Sequence, residues 1–266
     1  MLHVRTIHYF GNPSTPTIRA AMARGELGVI ETPAQGNAPV EGAAWCADNG
    51  CFSDAYPGDD AWFAWLEANA ERASSCVFAV APDVVGEAWA TQVRSMPWLA
   101  RIRDLGYPAA YVAQDGARAD RVPWGHFDAL FLGGTTEWKL GPTARALTYE
   151  AKGRGLHVHM GRVNSLKRLR YAEMIGCDSV DGTYLTKAPD VNLPRLLGWL
   201  RTVEEQRGLW QGPRPRQGRQ VMVSAGGDTP QRVPRVRAVL APPRAGVGYH
   251  PQADRLPLPP AVAVAR

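Results

Sequence analysis

The stretch LHVHMGRVNSLKRLRYAEMIGCDSVDG, residues 156–182, sets two short apolar runs, LHVHMG and CDSVDG, on either side of a segment with helical spacing. In that middle segment Leu166, Leu169, Ala172 and Ile175 recur on one helical face, Ser165 offers an N-cap, and Gly176 offers a stop. Strand, helix and strand in this order read as one βαβ unit, with parallel strands and a right-handed crossover. The second run raises a question. It carries Asp178 and Asp181 where a strand buried on both faces should be apolar.

The same rhythm continues towards the N-terminus. RTIHYF, LGVIET, AWCAD, CVFAVAP, AAYVAQ and DALFLGG are further candidate strands, which makes eight over residues 1–206. Between most of them lie helical patterns: STPTIRAAMARG, DDAWFAWLEANAER, GEAWATQVRSMPWLARIRDLG and GPTARALTYEAKGRG. A last helix, NLPRLLGWLRTVEEQRG, follows the eighth strand. Eight strands alternating with helices predict an α/β fold, a compact (β/α)8 barrel over residues 1–206, with irregular spacing ahead of AWCAD.

In such a barrel the functional site forms where the C-terminal ends of the strands converge. Asp48 closes AWCAD, with Phe52 in the NGCFSD that follows; Asp83 follows CVFAVAP; Gln114 and Asp115, Gly133 and Gly134, Met160 and Gly161, and Asp181 close later strands. Singly, each has a plainer reading. Asp83 serves equally well as a helix N-cap, NGCFSD as a turn, the two glycines as a tight corner, and Phe52, Met160 and Trp138 as core. His157 and His159 share one strand face, so a His-x-His metal pair is a further alternative. The informative feature is their coincidence at nearly every strand end.

Composition bounds the rest. At 266 residues and 45% hydrophobic, the chain can bury a sizeable core as one domain with an appendage. No apolar run reaches the ~18–20 residues of a membrane helix, and MLHVRTIHYF lacks a signal peptide's charged-then-apolar order, so a soluble cytoplasmic protein with no membrane partner is expected. Cys46, Cys51, Cys76 and Cys177 are scattered without a C-x-x-C pair, which predicts reduced thiols, no metal and no structural zinc. Residues 207–266 carry ten arginines against two aspartates, a net +8, which leaves −3 for residues 1–206. This Pro/Arg-rich segment is expected to be a disordered basic tail, either an arm on phosphate backbone or a dispensable terminus.

Two carboxylates at a barrel mouth suit chemistry at an anomeric carbon. One attacks or stabilises the oxocarbenium-like centre while the other moves a proton to or from the leaving group. When that group is a nucleobase, the same pair gives base removal or exchange, and a flat base also needs stacking faces and edge hydrogen bonds. Phe52 and Met160 can supply the faces; Asp83, Gln114 and the backbone from Gly133 to Thr135 can supply the edges.

The string ADNGCF, residues 47–52, resembles the TDSGGY/F motif of tRNA-guanine transglycosylases, (β/α)8 barrels that swap guanine for a 7-deazaguanine. TPAQGN, YVAQDG, LFLGGTTE and VHMGRVNSLKRLRYAEMIGCDSVDG are similar, in the same order, to the family's PVGTQG, FGIQQG, YAVGGLAVGE and YLMGVGKPDDLLEAVARGIDMFDC. The resemblance implies Asp181 as nucleophile and Asp48 as general acid/base, with Phe52 and Met160 sandwiching the base. It also implies Asp83 and Gln114 reading the base's polar edge beside the Gly133 and Gly134 backbone.

The family's C-x-C-x-x-C…H zinc subdomain has no counterpart after Asp181. A short, zinc-free barrel of this kind resembles the phage DpdA branch, the deoxypurine-in-DNA transglycosylases, over residues 6–206. That implies double-stranded DNA and a 7-deazaguanine base as partners, no cofactor, and a place in phage DNA hypermodification. Arg162, Lys167 and Arg168 beside the seventh strand are candidate phosphate contacts, or else a solvated helix face. The alternatives are a queuine tRNA-ribosyltransferase-like enzyme acting on RNA, a nucleic-acid or nucleobase-binding barrel without turnover, and a glycoside hydrolase. Nothing in the sequence sets an oligomeric state.

Overall fold

The computed structural model describes residues 7–210, with side chains to residue 206. Its strands are β1 (His8–Gly11), β2 (Gly28–Glu31), β3 (Trp45–Ala47), β4 (Cys76–Val80), β5 (Ala109–Ala113), β6 (Ala129–Leu132), β7 (His157–Met160) and β8 (Ser179–Asp181). Each apolar run of the sequence supplies one of them. All neighbours pair in parallel and in chain order, and β1 pairs with β8, so the sheet closes into a (β/α)8 barrel.

The helices are α1 (Pro16–Ala23), α2 (Asp59–Ala68), α3 (Ala88–Asp104), the single turn α4 (Thr136–Lys139), α5 (Pro142–Gly153), α6 (Leu166–Ile175) and α7 (Pro189–Trp210). Ser165 caps α6 by accepting from Arg168 N at 3.3 Å, and Gly176 ends it at φ 97°. Two crossovers lack an α-helix. Between β2 and β3 there is only a 3₁₀ turn, Pro33–Gln35, and between β5 and β6 the chain runs as a loop through residues 114–128. Pro33, Pro39, Pro123 and several glycines punctuate these segments, which denies them a continuous helical ladder. This accounts for the irregular spacing ahead of AWCAD.

Strand alternation sorts the core into two layers. Phe10, Cys46, Phe78, Val80, Ala110 and Val112 fill the barrel interior. Tyr9, Val29, Trp45, Tyr111, Leu130 and Val158 face outward, where Ile18, Trp62, Leu66, Leu99, Leu147 and Leu196 of the helices cover them. Phe10 fits because β2 begins with glycine: a Cβ on Gly28 would stand 2.5 Å from the Phe10 ring.

Half of the opening question is answered at the N-terminal end of the barrel. Asp178 stands just ahead of β8, where its carboxylate takes the Lys152 ammonium of α5 at 2.6 Å and the Val158 N–H of β7 at 2.8 Å. It ties three elements together and has no place in the mouth. The tail expected from residue 207 lies outside the described residues, except that α7 continues to Trp210.

Candidate active site

A cavity of about 250 Å³ lies at the C-terminal ends of the strands, and every strand, or the loop directly after it, reaches it. Ile30, Val80, Val112 and Phe131 bring the apolar barrel interior up to its base. Asp181, Asp48, Asp83, Gln114, Phe52 and Gly133 all line it, from five different strand ends, Asp48 and Phe52 sharing the one after β3.

Asp181 is the last residue of β8 and points inward because its position alternates with Val180, which is outward in the helix-covered layer. Its Oδ2 lies 2.9 Å from His159 Nε2, and its Oδ1 accepts from the Arg162 backbone N–H at 3.0 Å. That N–H is available because Arg162 adopts φ 61°, the left-handed region that non-glycine residues visit seldom and that clusters at functional sites.

Asp48 follows β3, docked by its own N–H on Glu31 O at 2.8 Å. Burial pushes its carboxyl up to about 7, with the neighbouring charges of Asp181 and Asp83 adding to the rise and the Gly50 and Asn49 N–H groups opposing it. The two carboxyl groups proposed for catalysis therefore face one cavity in different surroundings: Asp48 is desolvated, whereas Asp181 lies against an imidazole and a backbone donor.

Asp83 and Gln114 form a buried unit. Gln114 Nε2 donates to Asp83 Oδ2 at 2.6 Å, Asn49 Nδ2 donates to Asp83 Oδ1 at 2.7 Å, and Gly86 N donates to Gln114 Oε1 at 3.0 Å. Burial raises the Asp83 carboxyl. Gly133 is required beside this unit, since a Cβ there would stand 2.5 Å from Val112 Cγ1 and 2.9 Å from Gln114 Nε2. At Gly134 a Cβ would meet Asp115 Oδ2 at 2.6 Å, in the place where that carboxylate holds Thr135 N and Oγ1.

Two expectations are corrected. Met160 is not a stacking face of the cavity: it is 1% exposed and packs in the outer layer, because His157 and His159 take the inward positions of β7 and the residue after His159 must point the other way. Nor does Arg162 extend to solvent as a free phosphate contact. Its Nη2 donates to the carbonyls of Gly133, at 2.8 Å, and Gly134, and its guanidinium stands 4.7 Å from the Phe52 ring centre. One face of the Phe52 ring is thus covered by the Arg162 guanidinium. Arg168 braces it through Nη1 to Arg162 O at 3.3 Å, while Lys167 is exposed on α6.

Several participants escaped the sequence reading. Asn49 looked like a turn residue, and only the fold shows that it orients Asp83. Lys139, buried on α4, donates from Nζ to Gly161 O beside the Asp181 loop; burial first, and then Arg162, pulls its ammonium down to about 8. Ser179 was legible in principle, since two residues before Asp181 it must share the same face. Among the described residues no group of three or more His, Cys, Asp or Glu is arranged to hold a metal ion, and Cys46, Cys51, Cys76 and Cys177 are all free thiols. No described helix is long and apolar enough to cross a membrane.

No protein-family model matches the sequence, and no protein of curated function matches it. Solved structures do match the fold. The native KDPGal structure aligns at TM-score 0.50 and 12% identity over 76% of this chain and 96% of its own. The Amycolatopsis orientalis BexX/CysO complex aligns at TM-score 0.50 and 15% identity over 79% of this chain and 93% of the other. Likeness at this level of identity speaks for the barrel alone.

Proposed function

We propose that this barrel is an enzyme, a DNA-guanine transglycosylase that exchanges guanine in DNA for a 7-deazaguanine base. The observation that carries the reading is the pairing of Asp48 and Asp181 in one cavity, with Asp48 raised to about 7. A nucleobase-binding protein without turnover has no use for such a pair.

In the first half-reaction a guanine is flipped from the duplex into the cavity, where Phe52 gives a stacking face. An Asp181 oxygen attacks C1′ of the deoxyribose as the C1′–N bond breaks, and protonated Asp48 gives its proton to the departing base. The sugar is then an ester of Asp181, and guanine leaves neutral. In the second half Asp48, now ionised, removes the proton from the incoming 7-deazaguanine, whose nitrogen attacks C1′ and releases Asp181. Two displacements give net retention.

Asp83 suits the donor edge of either base, with oxygens already oriented by Asn49 and Gln114. The second hydrogen of Gln114 Nε2 suits the base's carbonyl oxygen. The preference for DNA rests on the resemblance of the zinc-free barrel to the phage branch of the family.

The deciding experiment incubates purified protein with labelled-guanine DNA, and in parallel with tRNA, in the presence of candidate 7-deazaguanines, followed by nucleoside mass spectrometry. Guanine release with 7-deazaguanine incorporation in DNA is the expected result. Incorporation only in tRNA moves the substrate to RNA, release without incorporation makes the enzyme a glycosylase, and no release in any arm defeats the reading.

A further inference from the structure

Beneath Asp181, four side chains of β7 and β8 make one continuous hydrogen-bonded line. His157 Nε2 lies 2.7 Å from Ser179 Oγ, Ser179 Oγ lies 2.8 Å from His159 Nδ1, and His159 Nε2 lies 2.9 Å from Asp181 Oδ2. The line exists because residues two apart on a strand share a face, so 157 and 159 on one strand and 179 and 181 on the next all turn inward. His159 and Ser179 are completely buried. Around His159 stand the rings of Phe131, Phe78 and Phe10, at centroid distances of 4.5, 5.0 and 6.1 Å, which offer its nitrogens no competing partner.

A serine hydroxyl has one hydrogen, so between two imidazole nitrogens it donates to one and accepts from the other. With a neutral His159, which carries one N–H, only one polarity gives Asp181 a donor. His157 Nε2–H donates to Ser179 Oγ, Ser179 O–H donates to His159 Nδ1, and His159 Nε2–H donates to Asp181 Oδ2. The reverse polarity sets the His159 Nε2 lone pair against a carboxylate oxygen, a repulsive contact in a buried site.

We propose that His157, Ser179 and His159 are positioning residues that hold His159 as its Nε2–H tautomer and thereby aim the Asp181 carboxylate at the substrate. With Oδ2 held by His159 and Oδ1 by Arg162 N, the carboxylate cannot rotate away from its line of attack, which is where orientation contributes to rate. The inference rests on Asp181 as the attacking group of the proposed exchange.

Two measurements test it, and they fail separately from that reading. Nitrogen-15 spectra of histidine-labelled protein, assigned with His157→Gln and His159→Gln, should show His159 protonated at Nε2 alone, and Ser179→Ala should mix its tautomers. A His159 protonated at Nδ1 alone in the wild type would overturn the proposal whether or not the protein exchanges bases. In single-turnover guanine release, His159→Phe should lose at least ~100-fold with DNA affinity unchanged, within the ~10⁴-fold seen when a buried partner that sets a histidine's tautomer is lost. His159→Gln, whose amide N–H lies where Nε2–H was, should recover to within about tenfold of wild type. Wild-type release by His159→Phe, or His159→Gln as slow as His159→Phe, would reduce His159 to packing. A wild-type protein that releases no base defeats the exchange reading, and the spectra then still decide the relay.

Discussion

Asp48 is the residue whose environment makes the sharpest demand. A carboxyl raised to about 7 can give and take a proton near neutral pH, which is the property an exchange needs from one group in two half-reactions. Single-turnover base release should therefore fall as pH rises through about 7, and Asp48→Asn should flatten that dependence while lowering the rate by ~10²- to 10⁴-fold. Asp181→Asn should abolish release and trap no covalent adduct, with DNA affinity retained, because an amide supplies no anionic nucleophile. The same raised value has a stability consequence. The folded form holds the Asp48 proton more tightly than the unfolded chain, so this group's contribution is full below the unfolded carboxylate value and is lost as pH rises through about 7. Asp48→Asn should accordingly melt at a higher temperature than wild type at pH 8, with the difference shrinking towards pH 4. An unchanged gap across that range in thermal melts would remove the protonated Asp48 from the account.

Strand alternation separates two residues that stood together as stacking faces. Phe52 is 68% exposed on the loop after β3, so Phe52→Ala should leave the melting temperature nearly unchanged while weakening base binding, seen as a raised KM for the incoming base. Met160→Ala should do the reverse, costing about 2–5 kcal/mol in denaturant unfolding because it empties a packed site between β7 and the helices. The eight strands themselves were legible because strands buried on both faces appear as short apolar runs, and α6 because its cap and stop stand in the sequence. Facing was harder. Met160 ends an apolar run beside a glycine, a place that looks like the mouth, yet the inward direction of β7 is set by His157 and His159 fitting among Phe78 and Phe131. Asp178 and Asp181 stand three apart, so on one strand they face opposite ways, and the structure adds that Asp178 lies ahead of the strand start at Ser179, in an ion pair with Lys152. The network of Asn49, Asp83 and Gln114 joins residues more than thirty positions apart, and no local pattern reports it.

At the scale of the whole molecule the question is how a body of net −3 would hold a polyanion. Of the three cations beside β7 expected to meet phosphate, Arg162 is folded into the cavity wall and Arg168 braces it, which leaves Lys167 exposed. The burden then falls on the arginine-rich segment after α7. Because that helix continues to Trp210, the informative truncation removes residues 211–266, which takes away nine arginines and two aspartates and keeps the helix whole. Exchange on a short substrate at low salt should survive, since every residue of the cavity is retained. Affinity for long duplex DNA should fall, and the slope of log affinity against log salt should flatten by several units, because each phosphate contact contributes roughly 0.9 to it. Binding titrations of full-length and truncated protein across a salt series would measure both effects. Parallel slopes would show that the segment touches no phosphate and return the polyanion contact to the rim of the barrel.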